Sequence, residues 1–200
     1  MLILILTCVN KVSFCVTVAC TVLGEVGENT TRMCQTTCTT GFADWTRRIC
    51  VSICPSNPPM FSYVSGATRI CVASCNASST GLFGDAQANR SCVAKCSSSP
   101  TPTFGEVSTS LCVDKCSVAT EFGDPLHSTR RCVSTCTASP QTFSYSVNKL
   151  CLTTCPDQYY GDNYTVASKG VCSTGCPSGY YGDPISHLCV VTCPSGYFGS

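Results

Sequence analysis

Hydrophobic residues in this chain occur in short clusters that recur about every 20 residues. One cluster in each repeat places an aliphatic residue before a cysteine and a valine after it, as in Ile-Cys-Val at 49–51 and Leu-Cys-Val at 111–113. The segments between clusters are rich in Gly, Asp, Asn, Ser and Pro. Short runs of β-branched and aromatic residues bounded by such turn formers predict short strands. The pattern therefore predicts one small, irregular β-hairpin in each repeat and little helix.

A second cluster in most repeats is an aromatic–Gly–acid triplet. We interpret the acid as a turn residue beside Gly at the hairpin tip, because Asp and Gly favour turns. The recurring aromatic side chains are interpreted as covers for the disulfides and the neighbouring units. Two repeats, near Phe61 and Phe143, read Phe-Ser-Tyr instead. The triplets are Phe83-Gly84-Asp85, Phe104-Gly105-Glu106, Phe122-Gly123-Asp124, Tyr160-Gly161-Asp162 and Tyr181-Gly182-Asp183.

Cysteine accounts for 21 of the 200 residues, which is above the roughly 8–10% that marks a scaffold held by disulfides or metal. An isolated two-stranded hairpin is only marginally stable in water, and a short repeat cannot bury enough apolar area to offset its chain entropy. In the chain-entropy model, closing a loop of about 16 residues contributes roughly 3 kcal/mol. We therefore expect a small disulfide-rich fold: an elongated array of short β-hairpin modules with little helix and no single core.

The cysteines from residue 34 onward form nine C-x-x-x-C pairs, and the sequence does not fix how they are joined. In one scheme, the trailing cysteine of each pair bonds the leading cysteine of the next. This scheme treats every repeat alike and leaves Cys34 and Cys193 at the two ends. In a second scheme adjacent pairs cross-link, but nine pairs cannot be consumed two at a time. We favour the first scheme, whose bonds are Cys38–Cys50, Cys54–Cys71, Cys75–Cys92, Cys96–Cys112, Cys116–Cys132, Cys136–Cys151, Cys155–Cys172 and Cys176–Cys189.

Residues 1–24 are apolar apart from the interruption at Asn10 and Lys11. We interpret them as a signal peptide, with Lys11 as the positive flank and cleavage after Gly24; a signal anchor is the alternative. The three cysteines of this segment, Cys8, Cys15 and Cys20, lie outside the C-x-x-x-C pattern, and their removal leaves an even number. Residues 25–200 then form a cysteine-rich repeat array of about eight to nine units. Four N-glycosylation sequons agree with secretion; they are at Asn29, Asn76, Asn89 and Asn163.

Charge and residue types argue against several classes of function. The net charge is +1 and the basic residues are scattered, so we expect no surface for nucleic acid or for an anionic membrane. The two histidines, His127 and His187, are interpreted as solvated loop residues, and we expect no enzymatic activity. Zinc sites favour C-x-x-C over C-x-x-x-C, and one carboxylate per repeat cannot supply the six to eight oxygen ligands of a calcium ion. We therefore expect no metal and no cofactor.

The repeated sequence C-V-x-x-C-P-x-x-Y…C-V-x-x-C, from Cys34 to Ser200, resembles the cysteine-rich, furin-like repeats in receptors of the epidermal growth factor and insulin families. In those receptors, modules with one disulfide and a short hairpin loop stack into a rod. The present chain differs in its uniformity, because it contains similar units and no second module type. In that respect it is more similar to the long, uniform repeat proteins on the surface of ciliates and other protists. The resemblance implies an extracellular location and a structural role.

Two classes of function follow as expectations. The first is an extracellular structural or adhesive rod, a segment of a larger secreted or cell-surface protein. The alternative is a ligand-binding ectodomain segment of a growth-factor-receptor-like surface protein, with the irregular stretch from Trp45 to Phe61 as its candidate site. Expected partners are other proteins, extracellular matrix or surface components, or further copies of the chain; a membrane is expected only through an anchor. Because Cys193 lacks a partner and the last unit copies an internal one, we expect the array to continue beyond Ser200.

Overall fold

A computed structural model of the protein describes residues 20, 23–28, 30, 33–164, 170–193 and 195–196. These residues form eighteen strands of two to five residues and one helix of four residues. The small, disulfide-rich fold of β-hairpins with little helix is thereby confirmed. The chain divides into two compact units, Met1–Ala94 and Lys95–Ser200.

The first unit contains four antiparallel hairpins. Its strands lie in one sheet in the order β7-β8-β5-β6-β3-β4-β1-β2. Successive hairpins are joined by parallel pairs, in which the first strand of one hairpin meets the second strand of the next. A short helix follows the third hairpin. The elements are β1 (Val26–Glu28), β2 (Met33–Gln35), β3 (Phe42–Asp44), β4 (Ile49–Val51), β5 (Phe61–Ser65), β6 (Thr68–Val72), α1 (Ala77–Thr80), β7 (Phe83–Asp85) and β8 (Ser91–Val93).

The second unit repeats the same arrangement with five hairpins. Six of its strands lie in the order β13-β14-β11-β12-β9-β10, and four more form a sheet in the order β16-β15-β18-β17. An isolated bridge from Ser144 to Val171 connects the third of these hairpins to the fourth. The strands are β9 (Phe104–Glu106), β10 (Leu111–Val113), β11 (Phe122–Asp124), β12 (Arg131–Val133), β13 (Phe143–Tyr145), β14 (Leu150–Leu152), β15 (Tyr160–Gly161), β16 (Cys172–Ser173), β17 (Tyr181–Asp183) and β18 (Leu188–Val190).

In the hairpins that carry an aromatic triplet, the triplet lies opposite the cysteine cluster in a fixed register. In the hairpin of β11 and β12, Gly123 faces Cys132, while the aromatic residue faces the valine after the cysteine. The same register recurs at Gly84 with Cys92 and at Gly182 with Cys189. The two clusters seen in the sequence are therefore the two strands of one hairpin.

Nine disulfides join the described cysteines. Eight of them, from Cys38–Cys50 to Cys176–Cys189, have the connectivity of the first pairing scheme. The ninth joins Cys20 to Cys34 across 14 residues, a separation within the 12 to 17 residues of the others. The expectation that Cys20 lies outside the array and that Cys34 has no partner is therefore wrong. Cys193 is a free thiol.

The N-terminal prediction lies largely outside the described residues, since 1–19, 21 and 22 are not among them. The signal peptide and its boundary after Gly24 therefore stay predictions. The structure adds one constraint, because a cut at that boundary would remove the disulfide partner of Cys34.

Buried apolar side chains form small local clusters instead of a common core within the described residues. One example brings together Phe104, Cys116 and Cys132, with Val113 and Leu150 packed against them. This cluster and the cluster of Phe143, Cys155 and Cys172 each combine an aromatic ring with the disulfide of the following hairpin. Contacts between neighbouring hairpins consequently stabilise this fold.

Candidate functional site: the contact between successive hairpins

The glycines of four triplets lie directly under the aromatic ring of the preceding hairpin; they are Gly84, Gly123, Gly161 and Gly182. A Cβ atom added to Gly123 would stand 2.6 Å from the ring of Phe104, and one on Gly161 would stand 2.5 Å from that of Phe143. Both rings are almost completely buried. Since real Cβ atoms do not approach rings so closely, the glycine is required by stacking and not by its backbone angles.

Where the central residue of the triplet is not glycine, the side chain that the preceding hairpin contributes to the contact differs as well. Ala43 occupies the central position of its hairpin and packs with Val26, which is smaller than a phenyl ring. Ser144 follows the hairpin of Phe122, whose ring is only half-buried. Alanine and serine therefore occur at the central position where the preceding hairpin presents a smaller side chain or a half-buried ring.

The backbone of one hairpin also donates to the next. The central amide N–H of a first strand donates to the carbonyl oxygen of the residue two positions before the next leading cysteine. The N···O distances are 2.8 Å from Gly123 to Lys149 and 2.8 Å from Gly161 to His187. These acceptor residues have φ angles of 61° and 54°, in the left-handed region that few non-glycine residues adopt. This conformation turns their carbonyl groups toward the preceding hairpin.

Several residues at these left-handed positions are bases whose side chains extend back to the preceding hairpin. The ammonium group of Lys149 donates to the carbonyl oxygens of Val118 at 3.0 Å and of Glu121 at 3.3 Å, and its nitrogen lies 5.4 Å from the centroid of Phe122. Arg48 similarly donates to the carbonyl of Cys20 at 3.2 Å. We call these contacts the basic straps.

Two further bases at this position also contact the preceding hairpin, but through other acceptor groups. Arg90 donates to the carbonyl of Pro55. His187 Nε2 lies 3.7 Å from the carboxylate of Asp157, and the histidine side chain is 20% exposed. The expectation of solvated loop histidines is therefore wrong for His187, which is the base of the last described strap. His127 is half-buried and bonds the hydroxyl of Thr129 at 2.9 Å.

The acid of each triplet is buried, and one of its oxygens closes the hairpin turn. Asp124 Oδ1 accepts the backbone N–H groups of Leu126 at 2.9 Å and His127 at 3.2 Å. Asp85 and Asp183 accept the equivalent N–H two residues on, at 2.8 Å and 3.0 Å. Such bonds from a side chain to its own turn are the reason that Asp favours turns, so the interpretation of the acid as a turn residue is confirmed.

The second carboxylate oxygen reaches the residues that follow the trailing cysteine of the same unit. Asp124 Oδ2 accepts the N–H of Thr137 at 3.0 Å together with its hydroxyl. Glu106 accepts the N–H of Ser117 at 2.6 Å. The carboxylate therefore joins the hairpin turn to the start of the next loop, a role that the local spacing of the sequence does not reveal.

Proline after the trailing cysteine removes this second bond. Pro55 occupies the position equivalent to Thr137 and has no N–H group. Asp44 Oδ2 consequently accepts no hydrogen bond, although Asp44 is fully buried, and the nearest cation, Arg47, stands 3.7 Å away. An unpaired buried oxygen costs about 1–3 kcal/mol, so the proline-bearing unit is weaker at this point.

The hydrogen bonds to these carboxylates shift their acidity. The hydroxyl of Thr39 and the backbone of Thr40 hold the pKa of Glu28 below its ordinary value, against the opposing effect of burial. Burial raises the pKa of Glu106, but bonds from Ser117 and Thr109 outweigh it and leave that pKa lowered. Bonds from Ser186 and the N–H of Ile185 lower the pKa of Asp183. The ionised form is therefore the one that stabilises the fold.

The predicted glycosylation sites have different environments. Asn76 and Asn89 are exposed, with φ angles of 54° and 50°; Asn89 lies in a turn, and Asn76 directly precedes α1. Asn163 is half-buried, and its amide oxygen is buried without a hydrogen bond. Asn29 lies outside the described residues. Glycosylation at all four stays a prediction.

The candidate ligand stretch from Trp45 to Phe61 does not form a continuous exposed surface. Trp45 is 40% exposed, whereas Met60 and Phe61 are buried. Met60 packs with the disulfide of Cys54 and Cys71. Trp45 and Ile53, which is 63% exposed, are therefore the large apolar side chains of this stretch that a partner could reach directly.

Other clusters of chemical groups carry no site. Donor atoms of Glu106, Glu121 and Cys132 lie within 4.8 Å of one another, but Cys132 is bonded to Cys116 and offers no thiolate to a metal. A cavity of about 500 Å³ is an open groove lined by side chains such as Glu28 and Arg69.

Comparison with known proteins gives no relative. No family model, no curated protein and no solved structure matches the chain. Among the described residues there is no helix of the length and apolar character that crossing a bilayer requires. The resemblance to furin-like and protist repeats therefore remains an expectation drawn from the cysteine, valine and aromatic positions.

Proposed function

We propose that the chain is an extracellular scaffold, a cysteine-rich structural or adhesive segment of a secreted or cell-surface protein. The observation that supports this most is the disulfide of every hairpin in the described residues. Disulfides persist in oxidising compartments and are rare in the cytosol. A chain in which each unit depends on a disulfide for its stability is therefore suited to a secreted protein.

The use of the recurring side chains supports a structural role over a catalytic one. Recurring aromatic, acidic and basic side chains of the repeats contact the neighbouring hairpin or close a turn, as at Phe104, Asp124 and Lys149. In an enzyme, comparable groups would converge on one concave site. Repetition here gives regularly spaced hairpins, which is the property that a scaffold needs.

Expression of the full chain with a C-terminal tag in a eukaryotic secretory host tests this role. We expect the tag in the medium or on the outer surface of intact cells, and few of the 21 cysteines to react with maleimide after denaturation without reductant. Strong reductant should abolish the β-type circular dichroism, because single hairpins are only marginally stable. A native protein that is cytosolic with reduced cysteines would contradict the proposal.

One observation favours the ligand-binding alternative, namely the 40% exposure of the single tryptophan, Trp45. Tryptophan is enriched among residues that dominate binding energy. The Trp45→Ala variant distinguishes the two roles in a cell- or matrix-adhesion assay, with Ile185→Ala, at another exposed turn, as the matched control. Equal adhesion of both variants and the unchanged chain supports the scaffold, whereas loss with Trp45→Ala alone supports a ligand site.

A further inference from the structure

The junction between the hairpin of β13 and β14 and the hairpin of β15 and β16 differs from the junctions that an acid joins. Tyr145 occupies the position of the acid, and Pro156, directly after the trailing cysteine, has no N–H group to donate. A backbone bridge between Ser144 and Val171 joins the two hairpins. The ring of Tyr145 contacts a second tyrosine, Tyr159, in the loop that leads to the next hairpin.

Tyr145 and Tyr159 form an edge-to-face pair. Their ring centroids are 5.0 Å apart, and their ring planes meet at 78°. Both rings pack against the cluster around Phe143, and the N–H of Tyr159 donates to the carbonyl oxygen of Pro156 at 2.9 Å in a tight turn. Both side chains are half-buried, so they can be reached from solvent while their neighbours keep them in place.

The hydroxyl groups of the two rings are in contact as well. Burial, the negative charge of an ionised Tyr159 and a hydrogen bond between the two phenols each raise the pKa of Tyr145. A ring carbon ortho to the hydroxyl is adjacent to the carbon that bears the oxygen, so two phenols joined by a hydrogen bond bring their ortho carbons close together. Edge-to-face packing of two rings needs no hydroxyl groups, whereas covalent coupling of two rings needs both.

We propose that Tyr145 and Tyr159 are a site of oxidative coupling, in which a haem peroxidase with hydrogen peroxide joins the two rings through their ortho carbons. Each phenol gives up one electron and its phenolic proton and becomes a phenoxyl radical, and the two radicals combine to form a carbon–carbon bond. The hydrogen on each coupled carbon then moves to the phenol oxygen as the ring regains its aromaticity. In total, two electrons and two protons pass to hydrogen peroxide, which is reduced to two molecules of water.

The product, dityrosine, is a covalent link that thiol reductants do not cleave. It joins the end of β13 to the loop before β15, which are the two segments that the acid joins by hydrogen bonds in other units. The inference adds a modification to the proposed scaffold, but it rests on the positions of two rings and not on the location of the protein.

The hairpin of β5 and β6 provides a matched control within the chain. Its Phe-Ser-Tyr sequence places Tyr63 at the position of Tyr145, and both side chains are half-buried. The following hairpin pairs with it in the equivalent register. At the position of Tyr159, however, the chain has Leu82. A second phenol at position 82 should therefore allow the same coupling.

Treatment of the full, disulfide-bonded chain with a haem peroxidase and hydrogen peroxide tests the inference. The protein is kept dilute, and the monomer is isolated, so that links between chains do not contribute. After reduction, alkylation, removal of N-glycans and digestion with trypsin, we expect peptide 132–149 joined to peptide 150–169, with a mass lowered by two hydrogen atoms. Fragmentation should place the link at the two proposed tyrosines. Peptides are measured instead of total dityrosine fluorescence, because Tyr164 and Tyr180 form a second pair with ring centroids 5.0 Å apart.

Conservative variants decide between coupling at this pair and general reactivity of tyrosine. The linked peptide should disappear in Tyr145→Phe and in Tyr159→Phe, because phenylalanine forms no phenoxyl radical, and it should persist unchanged in Tyr63→Phe. Leu82→Tyr should add a second link, from Tyr63 to the new side chain. Mapping of the disulfides without reduction ensures that each variant has folded.

Three outcomes would overturn the proposal: no linked peptide in the unchanged chain, a linked peptide that survives Tyr145→Phe, or an equal loss of the link in Tyr63→Phe. A Leu82→Tyr variant that folds and gains no link would contradict the geometric argument. A secreted, disulfide-bonded chain without the link would overturn coupling alone and leave the scaffold proposal intact.

Discussion

Replacing Gly123 by alanine should break the stacking of one hairpin on another. The new Cβ atom would stand 2.6 Å from Cδ2 and 2.7 Å from Cγ and Cε2 of the Phe104 ring. That ring is 3% exposed and packed between Cys116 and Cys132, so it has little room to move away. Because the clash involves the body of a ring and not the end of a flexible side chain, the two hairpins must separate or tilt.

The expected change in the free energy of unfolding follows from two opposing effects. Overpacking of a filled core costs typically about 1–3 kcal/mol, while exchange of glycine for alanine returns about 0.4–1 kcal/mol through the unfolded chain. We therefore expect a net loss of about 1–2 kcal/mol. Since repeat arrays need not unfold in one step, the measurement is hydrogen exchange of β9 to β12 with the disulfides intact, supported by guanidinium unfolding.

Gly175→Ala is the matched control, because a Cβ atom there meets nothing within 4 Å; it should be neutral or slightly stabilising. The double variant Phe104→Val with Gly123→Ala reproduces the natural pairing of Val26 with Ala43. In it, the added cost of the alanine should disappear, although loss of the ring has its own cost. An equal effect of alanine at 123 and 175, or a cost at 123 that persists beside valine, would refute the stacking argument.

Three further predictions concern the polar contacts. Asp124→Asn should lower the free energy of unfolding by about 1.5–3 kcal/mol in guanidinium, because an amide nitrogen cannot accept a hydrogen bond from Thr137. Asp44→Asn should be nearly neutral, because the second oxygen of Asp44 accepts no hydrogen bond. Equal losses in the two variants would contradict this. Lys149→Met should speed hydrogen exchange in residues 118–121 without a change at other hairpins, and uniform protection would argue against the strap. Thermal stability should hold above about pH 4.5, near the unfolded pKa of Glu and Asp, and decline as pH falls through the lowered folded values, because protonation removes the favoured ionised form. A melting temperature constant from pH 7 to 3 would contradict the last prediction, which rests on Glu28, Glu106 and Asp183.

The hairpins themselves could be predicted because their determinants are local. The triplet at Phe122 and the cluster at Cys132 lie within one short segment, with turn residues between them. Strand-forming and turn-forming residues at such short range fix a hairpin without any distant contact. The requirement for similar loops in every repeat likewise favoured the first pairing scheme over the crossed one.

The contacts between hairpins could not be predicted, since both partners are needed to recognise them. Gly123 looks like a turn glycine until the ring of Phe104 is placed above it. The straps at Lys149 and Arg48 depend on a left-handed backbone conformation, which is rare for these residue types. The bond between Cys20 and Cys34 is hard to predict for a related reason, because the apolar segment around Cys20 is typical of a signal peptide. The separation of 14 residues between the two cysteines is the feature that indicates their place in the array.

The succession of disulfides has a mechanical consequence for a chain pulled at its two ends. Force would pass from Cys20 through the sulfur bridge to Cys34, along three residues to Cys38, and through the next bridge. Each bridge spans 5.5–5.9 Å between Cα atoms, so one repeat can lengthen to roughly 20 Å at most, whatever happens to its strands. The loop of 12 to 17 residues that each bridge closes carries no load while the bridge is intact. Reduction of one bridge would add about 35–50 Å of slack, so the redox state of the surroundings, and not the strength of the hairpins, sets how far this chain can be stretched.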